Sequence, residues 1–270
     1  MLCLEQRVKE VEATCTEIFS IYERPVLLCS GGKDSLALLH MLRPWRHKVI
    51  VLHNKVDAGW PGVTENLEVL MNQWGFLRSV YCAPFFSQQQ YVETFGWPVA
   101  VVPADLDGTI QPPSPYQEGA LKLSSWWHCT VKRQIAPLGV AAAALKADAV
   151  LTGSRASDGP AFERMGMASS YPQWRRFNPL HTWSSNEIYQ FIDQVGIPLP
   201  PHYRYKRELG DQWEYPDCVW CSWQPEHWAL LRKHYPREYT RWWPQVEPVF
   251  DALKQTQRQF LARIEAAEAG

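Results

Sequence analysis

The sequence lacks both a long apolar run and an excess of charge of one sign. No apolar stretch approaches the ~20 residues that a membrane-spanning helix requires. Lys and Arg together number 27 and Asp and Glu 28, which gives a formal net charge of −1 at pH 7. Because nucleic acids and anionic membranes usually attract proteins with a basic excess, this balance does not indicate either partner. The N-terminal segment also lacks the apolar core of a signal peptide, so we expect a cytoplasmic protein without a membrane partner.

Cysteine occurs in an odd number, which argues against a framework of disulfide bonds in a cytoplasmic protein. The seven residues are Cys3, Cys15, Cys29, Cys82, Cys129, Cys218 and Cys221. We interpret Cys29 and Cys82, which lie in or at the end of predicted strands, as buried inert thiols. Tryptophan is abundant, with 14 residues, six of them between Trp213 and Trp243. Those six predict either a small aromatic core or stacking platforms for bases.

Short apolar runs alternate with helical segments along the first two thirds of the chain. Predicted strands cover Val26–Cys29, Lys48–His53, Ser79–Cys82 and Ala147–Thr152, and predicted helices cover 36–42, 63–74, 188–195 and 246–268. This alternation predicts an α/β fold, a mostly parallel twisted sheet with helices on both faces. Residues 84–127 and the segment from 153 to about 177 lack such a pattern, so we expect long irregular loops there.

A glycine-rich turn follows the first predicted strand and precedes a helix. Its sequence is Ser30-Gly31-Gly32-Lys33-Asp34-Ser35, called the phosphate loop below. Glycines let the backbone turn tightly and present N–H groups to an anion, and the helix N-terminus and Lys33 add positive charge. The spacing differs from the nucleoside-triphosphatase loop GxxxxGK[ST], so the sequence predicts a phosphate site of another kind.

The phosphate loop resembles the SGGKDS signature of the PP-loop ATP pyrophosphatases, which split ATP into AMP and pyrophosphate. Three further segments resemble the phosphoadenosine phosphosulfate (PAPS) reductase-like branch of that superfamily: DAGWPGVTE at 57–65, TGSRASD at 152–158 and NPLHTWSSNEIY at 178–189. The resemblance implies an adenine nucleotide alpha hydrolase-like fold with an aromatic-rich helical appendage at the C-terminus. We expect an N-terminal helix over 1–22, the nucleotide-binding domain over 23–199 and the C-terminal region, packed on it, over 200–270.

The resemblance also implies which residues hold the nucleotide. We expect the phosphate loop to bind pyrophosphate, with Gly153 and Arg155 adding a second phosphate contact and Arg164 assisting from the loop that follows. Asp57 is expected to meet the adenosine or a magnesium ion.

Three residues are the predicted catalytic group, Lys33, Asp34 and Arg155. Asp34 has two interpretations, a magnesium ligand or a carboxylate that stabilises the N-terminus of a helix. Lys33 is expected to stabilise negative charge that grows on the phosphates.

A metal site is predicted from the CxxC pair Cys218 and Cys221 and from the upstream pair His128-Cys129. In iron–sulfur members of the family, a CC pair in a similar setting joins a later CxxC to bind a [4Fe–4S] cluster. Here His128 replaces the first of those cysteines. Three interpretations stay open: a [4Fe–4S] cluster with His128 or an open position at the fourth iron, a Cys3His zinc site, or ordinary thiols without metal.

The residue pattern favours ATP over a sulfonucleotide as the substrate. Sulfonucleotide reductases similar to this chain carry a nucleophilic cysteine near the C-terminus and typically alter SGGKDS, whereas the last cysteine here is Cys221. We therefore expect an ATP-dependent transferase that forms AMP and pyrophosphate, with ATP, Mg²⁺ and a [4Fe–4S] cluster as cofactors, acting in sulfur transfer or nucleotide modification. Two alternatives stay open: a sulfonucleotide (PAPS or APS) reductase that uses a partner thiol, and a non-catalytic adenine-nucleotide sensor with structural zinc.

The sequence does not identify the acceptor substrate, the sulfur donor or the oligomeric state. The acceptor is left open among a tRNA, a DNA and a small molecule. A sulfur-donor protein and a homodimer are both compatible with the sequence.

Overall fold

The computed structural model describes residues 3–57, 59–99, 122–158, 175–205, 218–219 and 225–268. Its strands are β1 Pro25–Leu28, β2 Ile50–Asn54, β3 Ser79–Cys82, β4 Trp97–Val99, β5 Leu123–Ser125, β6 Ala149–Thr152 and β7 Arg175–Phe177. Its α-helices are α1 Leu4–Ile21, α2 Lys33–Met41, α3 Val63–Trp74, α4 Gln88–Phe95, α5 Trp126–Thr130, α6 Ala136–Ala144, α7 Ser185–Val195, α8 Pro225–His234 and α9 Pro236–Glu268. A π-helical turn, Val131–Ile135, joins α5 to α6, and short 3₁₀ turns cover Arg43–Trp45, Ala156–Asp158 and Pro201–Tyr205. Within these described ranges, no helix combines the length and apolar character needed to cross a bilayer.

Five strands form one sheet in the order β3-β2-β1-β6-β7. Every neighbouring pair in this sheet is parallel, with Val26 of β1 opposite Ile50 on one side and Val150 on the other. The predicted α/β class with a parallel sheet is confirmed.

Both faces of the sheet are covered, as the apolar composition of its central strands requires. Successive strand residues point to opposite faces. Leu27 lies in a buried cluster with residues of α1, α2, α3 and α7, whereas Val26 lies in a second buried cluster with residues of α6. The prediction of helices on both faces is therefore confirmed.

The chain forms two compact units, residues 1–85 with 132–217 and residues 86–131 with 218–270. The first unit contains the five-stranded sheet. The structure thus groups residues 86–131 with the C-terminal segment, while the boundaries at 22 and 199 stay a prediction from the sequence.

The second unit contains the parallel pair β4–β5 and a cluster of aromatic rings on α8 and α9. The ring of Trp243 stacks on Tyr239 at 5.3 Å between centroids and lies 5.5 Å from the buried Trp228. Phe250 extends the stack at 5.8 Å from Trp243. These described rings pack on one another, which favours the aromatic-core interpretation of the tryptophans.

The prediction of irregular loops was wrong where the structure forms α4, β4, β5, the start of α5 and β7. Residues 88–95 form α4, which begins at a capping box: the hydroxyl of Ser87 accepts from the Gln90 N–H at 3.2 Å, and Gln90 Oε1 accepts from the Ser87 N–H at 2.9 Å. Residues 175–177 form β7, which pairs with β6. A strand of three residues with two arginines has too little apolar pattern to be detected without its partner strand.

Candidate active site

The strand order reverses between β1 and β6, because the chain adds β2 and β3 on one side of β1 and then places β6 on the other. In open α/β sheets, ligands bind outside the carboxyl ends of the strands at such a switch point. The phosphate loop follows β1, and Gly153 to Arg155 follow β6. The fold therefore brings two segments that are 120 residues apart in the sequence to the same edge.

The phosphate loop is braced by its own serines. Gly31 has φ +81°, the left-handed region that favours glycine. The Ser35 hydroxyl accepts from the Gly31 N–H at 3.1 Å and donates to the Gly32 carbonyl at 2.9 Å. Ser30 Oγ accepts from the Gly32 N–H at 3.3 Å. These bonds fix the turn that leads into the N-terminus of α2.

Two buried cations share the carboxylate of Asp34. Lys33 Nζ lies 2.8 Å from Asp34 Oδ2, and Arg155 Nε lies 2.9 Å from Asp34 Oδ1. The side chains of Lys33 and Arg155 are only 1% and 2% exposed. Arg155 also pairs with Asp158 at 3.1 Å. Buried charges need such partners, so this network holds both cations in fixed positions at the switch point.

Asp34 lies in the first turn of α2, where a carboxylate interacts favourably with the helix dipole. Its position fits the second of the two sequence interpretations. The structure adds a bridging contact that sequence reasoning missed, because Arg155 approaches Asp34 only through the adjacency of β1 and β6.

Gly153 allows the loop after β6 to approach the start of α2. A Cβ atom at this position would lie 2.9 Å from both the Asp34 carbonyl carbon and the Ser35 nitrogen. Backbone atoms cannot rotate away as a side chain does, so a larger residue would separate Arg155 from Asp34. The glycine of the TGSR segment is thus explained by packing against the phosphate loop.

Asp57 contacts the guanidinium of Arg133, which lies in the π-helical turn. The Arg133 side chain is 1% exposed, whereas that of Asp57 is 40% exposed. The carbonyl of Arg133 accepts from Asn54 Nδ2 at 2.8 Å, which ties the turn to the end of β2. This ion pair lies on the β2 side of the phosphate loop. Single-turn π segments are frequent at functional sites, and here the turn carries a buried cation to the sheet edge.

Tyr203 contacts the phosphate loop and was missed by the sequence analysis. Its hydroxyl accepts from the backbone N–H of Lys33 at 3.0 Å. The ring of His202 lies 4.4 Å from that of Tyr203 and stacks on the buried Trp60 at 4.7 Å. One of the helix N-terminal donors expected to meet phosphate is thus bonded to a side chain from the segment after α7.

Comparison with known proteins identifies the family. A family model described as the phosphoadenosine phosphosulfate reductase domain matches residues 24–214, more than half of the chain. The chain belongs to this family. The PP-loop, PAPS reductase-like resemblance drawn from the sequence motifs is therefore confirmed, and the family is one of enzymes.

A solved structure shares the fold of this PAPS reductase-like protein. The crystal structure of phosphoadenylyl-sulfate (PAPS) reductase from Candida auris, determined as a phosphate complex, matches with a TM-score of 0.50 and 14% sequence identity. The match covers 80% of this chain and 96% of that one. No curated protein matches the sequence.

Thr64, from the family-like segment DAGWPGVTE at 57–65, forms a side-chain hydrogen bond. His53 on β2 is buried, and burial lowers its pKa below the usual value, so the imidazole is neutral at pH 7. Its Nδ1 lies 2.7 Å from the Cys29 carbonyl, which only an N–H donor can satisfy. Nε2 then accepts from the Thr64 hydroxyl at 3.1 Å. The segment is thereby tied to the strand end that precedes the phosphate loop.

Cys29 itself is buried, and burial raises the pKa of its thiol to about 11. Burial also raises the pKa of Cys82, which is half-buried. Both thiols are protonated at neutral pH. The prediction of a buried thiol is confirmed for Cys29 and wrong for Cys82.

The predicted metal ligands belong to the second unit of the PAPS reductase-like chain. His128 is buried, its Nδ1 lies 2.7 Å from the Tyr91 hydroxyl, and its ring packs at 4.9 Å from Phe95. Cys129 is half-buried and Cys218 is buried. Within the described part of the chain, no three His, Cys, Asp or Glu side chains are grouped to hold a metal ion. Cys221 and the predicted phosphate contact Arg164 lie outside the described residues.

His227 contacts the segment that carries Cys218. Its Nε2 donates to the carbonyl of Val219, next to Cys218. Burial lowers the pKa of His227 to about 4, so this imidazole is neutral. The sequence offered no signal for this contact, because an isolated histidine on a helix has many common roles.

Proposed function

We propose that the protein uses ATP to adenylate an oxygen atom of an acceptor and releases pyrophosphate, as the activating step for sulfur transfer or another modification. The observation that most supports this is the placement of the buried cations Lys33 and Arg155 around one carboxylate at the switch point. Two fixed cations beside a helix N-terminus suit a ligand with several negative charges, such as the pyrophosphate end of ATP. We assign Asp57 and Arg133, an ion pair on the β2 side of β1, to the nucleoside end.

The proposed reaction is an in-line substitution at the α-phosphorus of ATP. The acceptor oxygen forms a bond to phosphorus, and the bond to the bridging oxygen of the β-phosphate breaks. Pyrophosphate leaves with the electron pair, and its growing charge is stabilised by Lys33, by Arg155 and by the N–H groups of the phosphate loop. A sulfur nucleophile that attacks the activated acceptor would then displace AMP.

Asp34 orients the cations in this proposal. It holds Lys33 and Arg155 through its two oxygens, and phosphate oxygens would compete with Asp34 and Asp158 for the same N–H donors. Its carboxylate does not fit the role of a free magnesium ligand, since both oxygens lie beside cations. Mg²⁺ usually reaches such sites bound to substrate phosphates, so we assign it to the MgATP substrate.

The test of the adenylation step is product analysis. The purified protein is incubated with ATP labelled at the α-phosphate, in separate reactions with bulk tRNA, duplex DNA and a small-molecule extract. We expect pyrophosphate in at least one of these reactions, with the α-phosphate label on the acceptor or released from it as AMP. Formation of ADP and phosphate would contradict the assignment, because it requires attack at the γ-phosphate.

The predicted [4Fe–4S] or zinc site stays a proposal from the family resemblance, because its ligand Cys221 lies outside the described residues, and no step is assigned to a metal centre. The ring of His128 is held by Tyr91 and Phe95, and it does not group with two other candidate ligands among the described residues. Cys129, Cys218 and Cys221 remain the proposed thiolate ligands from the family resemblance.

Metal analysis of protein purified without oxygen tests this site. We expect about four irons and four acid-labile sulfides per chain if the three thiolates hold a cluster. Stoichiometric zinc would instead indicate a structural site. Absence of both metals would contradict the cluster and leave ordinary thiols.

A second candidate function is sulfonucleotide reduction. The family description and the fold shared with the Candida auris PAPS reductase favour it. Reduction requires a thiolate that attacks the sulfonucleotide sulfur, and in this proposal a partner protein supplies it. Release of sulfite from PAPS with reduced thioredoxin, and no AMP from ATP, would favour this function over adenylation.

The Tyr203 hydroxyl is expected to compete with phosphate for the Lys33 N–H. Replacing Tyr203 by phenylalanine removes that competing oxygen, at a loss of one hydrogen bond worth about 0.5–1.5 kcal/mol. We therefore expect inorganic pyrophosphate to bind roughly 2- to 10-fold more tightly, as measured by isothermal titration calorimetry. The matched control is Tyr22→Phe, a tyrosine whose ring packs on Phe177. Weaker binding to Tyr203→Phe would indicate that the hydroxyl itself contacts the ligand.

A further inference from the structure

Arg176 is a half-buried cation whose hydrogen-bond partners are all neutral. Its Nη2 donates to Ser154 Oγ at 3.0 Å and to Thr152 Oγ1 at 3.2 Å, and its Nε donates to Asn178 Oδ1 at 3.3 Å. Across the described ranges of the chain, no carboxylate pairs with this guanidinium. Arg133 and Arg155, which are fully buried at this edge, each have an acidic partner.

A cation partly withdrawn from water without an acidic partner is costly, and partial burial lowers the pKa of Arg176 from its usual value. The guanidinium nevertheless remains charged at neutral pH, because arginine is effectively always protonated. Hydroxyl and amide oxygens orient the group but do not neutralise it. A charge kept in this state is suited to an anionic ligand.

The position of Arg176 separates it from the phosphate loop. It lies on β7 opposite Val150 of β6, and the side chain of Thr152 follows two residues later on the same face at the carboxyl end. Adjacent strands lie about 4.8 Å apart, so the end of β7 is roughly 10 Å from the end of β1. The hydrogen-bond partners of Arg176, which are Thr152, Ser154 and Asn178, lie at the ends of β6 and β7, and none of them belongs to the phosphate loop.

The residues around Arg176 also orient its guanidinium through hydrogen bonds. Asn178 Oδ1 accepts from the Thr152 hydroxyl at 2.6 Å and from Arg176 Nε, which fixes the orientation of both. A planar guanidinium with several N–H donors matches two oxygens of a tetrahedral oxyanion, and the Ser154 hydroxyl lies beside it as a further donor.

We propose that Arg176, with Ser154 and Thr152, forms a second oxyanion site at the carboxyl ends of β6 and β7, which binds a phosphate or sulfate group separate from the one in the phosphate loop. The site does not depend on the adenylation chemistry, because it requires only a substrate with an anionic group at this edge. That group belongs either to the nucleotide or to the second substrate.

The test compares Arg176→Gln with Arg175→Gln, which removes the same charge from the exposed preceding residue of the strand. Both changes are made in the Lys33→Ala background, so that binding in the phosphate loop does not obscure the second site. Inorganic phosphate and sulfate are titrated as probes at constant ionic strength, by calorimetry and by the rise in unfolding temperature. We expect Arg176→Gln to weaken binding about 10- to 100-fold and Arg175→Gln to leave it unchanged.

Equal binding of both probes to the two variants would overturn the proposal. If Arg176→Gln does not fold, Arg176→Lys keeps the charge without the planar guanidinium, and unchanged binding to that folded variant would equally contradict bidentate recognition.

ATP titrated into the single variant Arg176→Gln then distinguishes the two possible sources of the anionic group, the nucleotide and the second substrate. Weaker ATP binding assigns the site to a nucleotide phosphate, and unchanged ATP binding with weaker phosphate binding assigns it to the second substrate. If phosphate binds at this site as proposed but the protein forms no AMP from ATP, the adenylation proposal is contradicted and the second oxyanion site is not.

Discussion

Replacing Lys33 by alanine is expected to lower the rate of AMP and pyrophosphate formation by about 100- to 1,000-fold, the usual effect of removing one group that stabilises transition-state charge. The ammonium of Lys33 is buried at the start of α2 and is held 2.8 Å from Asp34, so water cannot replace it easily. The rate is measured as AMP release from labelled ATP with a productive acceptor. The effect should appear in kcat/KM, because the lost interaction grows as pyrophosphate leaves.

The matched control is Lys9→Ala, which removes the same side chain from an exposed position on α1. It should retain the full rate. Thermal unfolding of Lys33→Ala should remain cooperative, since Asp34 keeps its pairing with Arg155. A folded Lys33→Ala variant that turns over ATP normally would contradict the role assigned to the phosphate loop.

Replacing Gly31 by alanine is expected to affect both stability and activity. A Cβ atom at Gly31 would lie 2.6 Å from Val63 Cγ1, and its φ of +81° is unfavourable for alanine. The conformational strain costs about 1–2 kcal/mol and the overlap about 1–3 kcal/mol more. The loop must then move away from the start of α3, and a displacement near 1 Å in a site can cost about 100-fold in rate. Both effects are measured by thermal unfolding and by AMP release.

The control Gly196→Ala separates the effect of backbone strain at positive φ from the effect of the Cβ overlap with Val63. Gly196 also has positive φ, +70°, but an added Cβ there meets no atom within 4 Å. This residue is the C-cap of α7, so alanine should cost about 1–2 kcal/mol of stability and leave the rate unchanged. If the two variants lose activity equally, the overlap with Val63 is not the cause.

Local sequence signals predicted the parts of the site that lie within a few residues of one another. The apolar run before Ser30, the two glycines and the helix that follows were sufficient to predict the phosphate loop and its place after β1. The bounds of α3, 63–74, and of β3, 79–82, agree with the prediction. In each case the determining pattern is periodicity or turn chemistry, which acts over one turn or one strand.

Local sequence patterns could not predict the contacts of Asp34 and Arg176. Asp34 was predicted to be a magnesium ligand or a helix N-terminal carboxylate, and its contact with Arg155 depends on a residue 121 positions later. Arg176 lies in a strand that was predicted to be loop, so neither its burial nor its neutral partners followed from the pattern.

The sequence by itself determined the α/β class, the family and the location of the phosphate loop, because these depend on short motifs and on local hydrophobic periodicity. Only the tertiary structure decided which charges meet. Parallel pairing of β1 with β6 brings Arg155 to Asp34, the turn at 201–205 brings the Tyr203 hydroxyl to the Lys33 N–H, and pairing of β6 with β7 brings Arg176 to Ser154. Such contacts arise from strand order and loop packing over more than 20 residues of separation, a range at which the sequence carries no local signal.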